Sequence, residues 1–206
     1  MIAGLVLAGG RSRRMGGVDK ALLPFGGTPL VARAVGRLRP QVACLAVSMP
    51  DAAGAGLAPD VPLLADAMPG FQGPLAGMLA GLLWASRRGP AITHLATVAV
   101  DTPFFPADLV GRLAAAAGEG AAVARSGGRD HPVFALLPLA LAGDLAGFLA
   151  AGRSRGVGAW LARHAPAAVD FGPSDGGDPF FNINAPEDVA AAEARLGCAA
   201  AGLGES

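Results

Sequence analysis

Residues 2–8 (IAGLVLA) form an unbroken apolar run closed by Gly9-Gly10. A strand buried on both faces, as in a parallel sheet, has this pattern. Apolar runs at 42–48 (VACLAVS), 61–65 (VPLLA), 93–100 (THLATVAV) and 167–171 predict further strands, and 121–124 and 132–137 two more. Helices are predicted over about 29–39, 74–86, 107–117, 138–151 and 156–164, with a last one from Pro186 to about Leu196. Thr28-Pro29 predicts a helix start, with threonine as N-cap and proline at the first helical position. Leu30, Ala34 and Leu38 then supply the apolar face. Pro106 opens the helix at 107–117, and Glu187 and Asp188 in a first turn suit the helix dipole.

Strands that alternate with helices predict an α/β fold, a mostly parallel sheet with helices on both faces. With no repeat and no linker in view, the expectation is one domain over residues 1–196 and a loose C-terminal tail over 197–206. In open sheets of this kind, ligands sit beyond the carboxyl ends of the strands. Those ends are where chemistry is expected.

Composition narrows the field. The 206 residues carry 16 basic and 16 acidic side chains, are 52% apolar and 16% charged. So apolar a chain can bury a large core, which argues against disorder. Its balanced charge gives no electrostatic case for nucleic acid or an anionic membrane as partner. Cys44 and Cys198 lie outside any CxxC, so neither a disulfide framework nor a zinc site is indicated, as suits a reducing cytoplasm. Arg13 and Arg14 follow the first apolar run rather than precede it, the reverse of an export signal. The stretch between Asp66 and Arg87 is uncharged, with Gly73, Gly77 and Gly81 at four-residue spacing. Pro69, Gln72 and Pro74 interrupt it, and the helical part is short of the roughly 20 residues of a bilayer span. A buried core helix is the expectation there.

Rare residues stand out against this Ala-, Gly- and Arg-rich background. Lys20 is the only lysine, and Asn182 and Asn184 are the only asparagines. The first strand ends in Leu7-Ala8-Gly9-Gly10, followed by Arg11, Arg13, Arg14 and Lys20. Consecutive glycines let backbone N–H groups wrap an anion, and the cations neutralise it, which is a recipe for holding a polyphosphate. The loop matches neither GxxxxGK[ST] nor GxGxxG, and a flexible solvated turn is its alternative reading. Asp101, at the end of 93–100, suits a hard cation such as Mg²⁺, or else an N-cap for the next helix. Asp66 could cap a turn or accept hydrogen bonds from a base or sugar. Gly73-Pro74-Leu75-Ala76-Gly77 leads into a helix whose N-terminus could face a ligand, or serves tight helix–sheet packing, the reading favoured for Gly81. Alternation puts Asn182 and Asn184 on one side, where they bind phosphate or complete a metal shell; turn chemistry is the alternative. His94 reads as structural. His131 could touch a phosphate or sit in a turn, and His164 complements a helix dipole.

Leu7-Ala8-Gly9-Gly10-Arg11-Ser12-Arg13-Arg14-Met15-Gly16-Gly17-Val18-Asp19-Lys20 resembles the signature loop of the molybdenum cofactor guanylyltransferases, the MobA-type enzymes. Gly73-Pro74-Leu75-Ala76-Gly77-Met78, Asp101-Thr102-Pro103, Asp130-His131-Pro132 and Asn182-Ile183-Asn184-Ala185-Pro186-Glu187-Asp188 match in the same order, spanning residues 4 to 188. The resemblance implies the nucleotide-diphospho-sugar transferase-like fold, a three-layer α/β/α domain with a Rossmann-like sheet. It also implies transfer of GMP from GTP to Mo-molybdopterin with release of pyrophosphate. On this basis Leu7, Ala8, Gly9, Gly10 and Lys20 bind GTP, Asp66 contacts the nucleotide, and Asp101 serves nucleotide and Mg²⁺. A family asparagine falls near Ser48, and the serine here leaves that contact unassigned.

The reaction brings two anions together, so positioning and charge neutralisation dominate its needs. Lys20 and Arg14 are expected to hold the triphosphate and the leaving pyrophosphate, and Asp101 the metal. Asn182 and Asn184 are expected to position the incoming phosphate, with Arg155 on the pterin substrate. Molybdoenzyme apoproteins or maturation chaperones are expected as transient partners. The rival readings are a cytidylyltransferase or sugar-phosphate nucleotidyltransferase of the same superfamily, or a non-catalytic nucleotide carrier. CTP-using relatives tend to read Leu-Ala-Ala-Gly at the first loop, and a carrier has no need of a metal carboxylate.

Overall fold

The computed structural model describes residues 1–9, 20–49, 57, 60–67, 73–152, 156–173 and 177–201. In chain order the elements are β1 (Ile2–Leu7), β2 (Pro24–Phe25), β3 (Thr28–Pro29), α1 (Leu30–Leu38), β4 (Cys44–Ser48), β5 (Leu63–Leu64) and α2 (Pro74–Ala85). They continue with β6 (His94–Ala99), α3 (Leu109–Ala117), β7 (Ala122–Ser126), β8 (Arg129–Pro138), α4 (Ala142–Ala150), α5 (Val157–Leu161), β9 (Ala167–Asp170) and α6 (Pro186–Ala201).

Seven strands form the central sheet in the order β5-β4-β1-β6-β8-β7-β9. β1 lies between β4 and β6, parallel to both, and is buried along nearly its whole length, as its unbroken apolar run requires. β8 is antiparallel to β6 and to β7, so the sheet is mixed on that side, and β9 returns parallel to β7. The strands predicted at 121–124 and 132–137 are thus the two arms of one hairpin. Its two-residue loop, Gly127-Gly128, has φ of 53° and 76° at its two positions, where a side chain would be strained.

Alternate side chains of the strands feed two apolar layers. Val6, Val47, Ala96 and Val98 pack with α1, α3 and α6, while Ala3, Leu5, Leu7 and Leu95 pack with α2, α4 and α5. Helix α2 is buried on nearly every side, with Leu83 exposed, which explains its uncharged sequence. No helix among the described residues is long and apolar enough to cross a membrane.

Two sequence expectations need correction. Thr28 is not the N-cap of the first helix. Thr28-Pro29 pairs instead with Pro24-Phe25 in a two-residue ribbon, and α1 begins at Leu30 after Pro29, without a side-chain cap. The last helix does not stop near Leu196 but continues to Ala201. Gly197, a residue type that commonly ends a helix, lies inside this one and is followed by alanines of high helix propensity.

Candidate active site

The carboxyl ends of β1 and β6 and the start of β8 open on one cavity of about 640 Å³. Because β8 runs antiparallel, its first residues lie at the same edge of the sheet as the last residues of β1 and β6. At the β1 end the chain stays tied to its neighbours beyond the strand. Ala8 N–H donates to the Ser48 carbonyl at 2.9 Å, and Val100 N–H donates to the Leu7 carbonyl at 3.1 Å. Leu7, Ala8 and Gly9 line the cavity beside Asp101.

Lys20 begins a short 3-10 turn and reaches back across this edge. Its ammonium donates to Asp101 Oδ2 at 2.8 Å and to Asn184 Oδ1 at 3.1 Å. The pair is largely screened from solvent, with side-chain exposures of 12% and 23%. Asp101 also accepts a long hydrogen bond from the Thr102 hydroxyl, at 3.4 Å. The chain's sole lysine, the β6 carboxylate and one of its two asparagines therefore meet at one point.

The asparagine segment is anchored at both ends. Ile183 N–H donates to the Asp101 carbonyl at 2.8 Å, and the Ile183 side chain is buried. Burying the middle residue turns Asn182 and Asn184 outward together, and both line the cavity. At the far end, Asp188 Oδ2 accepts from Asn184 N–H at 2.7 Å and from Ala185 N–H at 2.9 Å. This carboxylate satisfies otherwise unpaired donors at the start of α6 and fixes the exit of the segment.

The opposite wall belongs to β8 and residues 178–181. Pro132, Val133 and Phe134 stand in a bulge of β8, where the register against β7 jumps from Val123↔Ala135 to Ala124↔His131. The buried Thr97 hydroxyl donates to the Val133 carbonyl at 2.7 Å, satisfying a group the bulge leaves unpaired. Such bulges re-aim side chains next to sites. His131 stacks on Phe180 with ring centroids 4.4 Å apart. Burial pushes the His131 pKa down, the nearby Asp178 charge opposing it. Asp130 instead turns to Arg125 at 2.6 Å and braces the hairpin.

Of the residues expected from sequence, Leu7, Ala8, Gly9, Lys20, Asp101, Asn182 and Asn184 line the one cavity. Asp66 follows β5 and is not among its lining residues; its carboxyl is pushed up by partial desolvation although its side chain is largely exposed. Gly10, Arg14 and Arg155 lie outside the described residues. Ser48 is buried under α2, where its hydroxyl would sit 2.5 Å from a β-carbon placed at Gly77. Gly77 and Gly81 therefore serve helix–sheet packing, Gly81 against Leu5 and Leu95. Gly73, with φ of 129°, makes the turn that brings Pro74 to the cavity. His94 bonds Thr93 and stays out of the cavity. His164 bonds Asp144. Arg129 and Asp178 also line the cavity and escaped the sequence reading. Only the nearness of Arg129 to His131 hinted at it, and nothing in the run Gly176-Gly177-Asp178 pointed to the aspartate.

The residues suit a metal held jointly with a substrate. No group of three or more His, Cys, Asp or Glu able to hold a metal occurs among the described residues. Asp101 offers a single hard carboxylate at the mouth of the cavity, and Mg²⁺ characteristically binds through one or two carboxylates plus substrate phosphates.

Residues 4–168 match the family described as the MobA-like NTP transferase domain. The molybdenum cofactor guanylyltransferase of Cereibacter sphaeroides is 53% identical over 196 residues, covering 94% of this chain and 96% of that protein. That of Rhizobium meliloti is 48% identical over 201 residues, covering 93% and 90%. Among solved structures, the molybdopterin-guanine dinucleotide biosynthesis protein A of Archaeoglobus fulgidus superposes with a TM-score of 0.71 at 22% identity, covering 95% of this chain and 99% of its own. The 2-C-methyl-D-erythritol 4-phosphate cytidylyltransferase of Thermus thermophilus superposes with a TM-score of 0.65 at 21% identity, covering 93% and 97%. The two structures share the fold, and the sequence relatives share the family: this chain is a nucleotidyltransferase belonging to the molybdenum cofactor guanylyltransferases.

Proposed function

We propose that the chain transfers GMP from GTP to the terminal phosphate of Mo-molybdopterin, forming the guanine dinucleotide cofactor and releasing pyrophosphate. A phosphate oxygen of the acceptor attacks the α-phosphorus of GTP. A new P–O bond forms, the α–β phosphoanhydride bond breaks, and its electron pair leaves with pyrophosphate. No general base is needed, because a phosphate monoester is already largely ionised near neutral pH.

The observation that carries this reading is the 2.8 Å approach of Lys20 to Asp101 inside one cavity with Asn184. Lys20 binds the triphosphate and neutralises the charge that grows on the leaving group. Leu7, Ala8 and Gly9 seat the nucleotide against the end of β1, and Gly10 and Asp66 are taken as further nucleotide contacts. Asn182 and Asn184 orient the acceptor phosphate without adding repulsion, the Asn184 carbonyl engaging Lys20 and leaving its amide N–H groups for the substrate. Arg14 adds a second cation at the triphosphate, and Arg155 one for the pterin substrate. Asp101 would hold Mg²⁺, which when bound supplies further neutralisation of phosphate charge. A cytoplasmic enzyme that hands its product to molybdoenzyme apoproteins or their chaperones fits this chemistry.

A panel of GTP, CTP, ATP and UTP, scored by pyrophosphate release with and without Mo-molybdopterin, tests the reading. Release that needs both GTP and the pterin supports it. A preference for CTP, or release independent of the pterin, contradicts it.

A further inference from the structure

The strand order divides the cavity. Gly9 follows β1, Asp101 follows the adjacent β6, and His131 lies at the start of β8, next beyond β6. A nucleotide seated at the β1 end has its phosphates at Asp101, and the wall beyond, at β8, is left for the acceptor. His131 on that wall is held in a defined way. Its Nε2 lies 2.8 Å from Ser126 Oγ, and the same hydroxyl donates to Asp178 Oδ1 at 3.2 Å. Asp178 Oδ1 also accepts from Phe180 N–H at 2.9 Å, which fixes the carboxylate.

A hydroxyl has one proton to give. With the Ser126 proton committed to Asp178, the imidazole must supply the proton in the His131–Ser126 bond. Nε2 therefore carries hydrogen, and in a neutral ring Nδ1 is left with its lone pair. Phe180 covers one face of the imidazole, so the ring edge is what the cavity can use. Nδ1 makes no hydrogen bond to any described residue.

We propose that His131 is a binding residue for the acceptor substrate, its Nδ1 accepting a hydrogen bond from an N–H on the edge of the acceptor's fused heterocycle. Ser126 and Asp178 are positioning residues that fix the tautomer. Burial, which lowers the His131 pKa, keeps the ring in the neutral form this role needs. The inference rests on the reading of the acceptor as Mo-molybdopterin, whose pterin edge carries such N–H groups.

The test measures equilibrium binding of Mo-molybdopterin and, separately, of GTP to wild type, His131→Phe and Ser126→Ala. Phenylalanine keeps a ring against Phe180 and removes both nitrogens. His131→Phe is expected to weaken acceptor binding by about tenfold or more and leave GTP binding unchanged. Imidazole ¹⁵N spectra are expected to show the Nε2–H tautomer in wild type and a tautomer mixture in Ser126→Ala. Undiminished acceptor affinity in His131→Phe, or an equal loss for GTP and acceptor, overturns the inference while wild-type turnover leaves the enzymatic reading standing. If wild type binds the acceptor but releases no pyrophosphate, that reading falls, and a selective loss in His131→Phe still supports the inference. If wild type does not bind the acceptor, both fall.

Discussion

Lys20 Nζ stands 2.8 Å from Asp101 Oδ2, although 81 positions separate the two residues in the chain. β1 and β6 are neighbouring parallel strands, so whatever follows each of them must meet at one edge of the sheet. The ammonium and the carboxylate neutralise each other there, and in the proposed reaction a triphosphate entering the cavity competes for the cation.

That relationship makes the two side chains one unit. On the proposed reading, Lys20→Ala leaves a carboxylate facing the substrate phosphates unopposed, and Asp101→Ala removes the carboxylate proposed to hold Mg²⁺. Each variant is expected to lose about two or more orders of magnitude in kcat. The double variant is expected to be little worse than the poorer single one, since residues acting together are not additive. Steady-state pyrophosphate release on all four proteins checks this.

The bulge in β8 depends on Thr97. Thr97→Val keeps the shape but leaves the half-buried Val133 carbonyl without its 2.7 Å partner. The expected loss is about 1–3 kcal/mol of stability, read by urea unfolding. A loss near zero would mean that the hydroxyl does not support the bulge.

Two glycines in helices should respond oppositely to alanine. At Gly77 a β-carbon would meet Ser48 Oγ at 2.5 Å and Leu7 Cδ2 at 2.8 Å, both in the buried interface with the sheet. Gly77→Ala is expected to destabilise by about 1–3 kcal/mol through overpacking. Gly147, exposed within α4, has nothing within 4 Å of that point. Gly147→Ala is expected to stabilise by about 0.5–1 kcal/mol. Thermal unfolding of both variants separates packing from propensity.

Asp144 joins α4 to α5 and the turn after it. It accepts from Trp160 Nε1 at 2.8 Å and pairs with Arg163 at 3.2 Å and His164 at 3.0 Å. The Trp160 hydrogen bond, helped by the Arg163 and His164 charges, holds its carboxyl below the usual aspartate range. A depressed carboxyl adds stability that is present above the unfolded pKa and lost as pH falls through the folded one. Asp144→Asn is therefore expected to unfold at a lower temperature than wild type at pH 7, with the gap closing below about pH 4. A gap independent of pH would assign the effect to packing.

Much of the site was legible because rare residues stood at strand ends. Lys20, Asp101, Asn182 and Asn184 were marked by type, by alternation and by position after an apolar run. The doubly buried β1 and the all-apolar α2 were legible for the same reason: burial on every side leaves no polar stripe. The antiparallel turn at β8 was not, because an apolar run does not record strand direction. The wall carrying Arg129 and Asp178 depends on that turn, so it stayed out of view until β8 was placed. Thr28-Pro29 misled because its capping pattern is local, while the pairing with Pro24-Phe25 that won is not.

Single-turnover transfer from GTP labelled at the α-phosphate, with Mo-molybdopterin and Mg²⁺, tests most directly whether Lys20 and Asp101 converge on a transferring nucleotide. Wild type is expected to move the label into the dinucleotide with one pyrophosphate released per transfer, and Lys20→Ala to slow that step about a hundredfold or more. Label transfer by Lys20→Ala at the wild-type rate, or α-label released with no dinucleotide formed, would contradict the account.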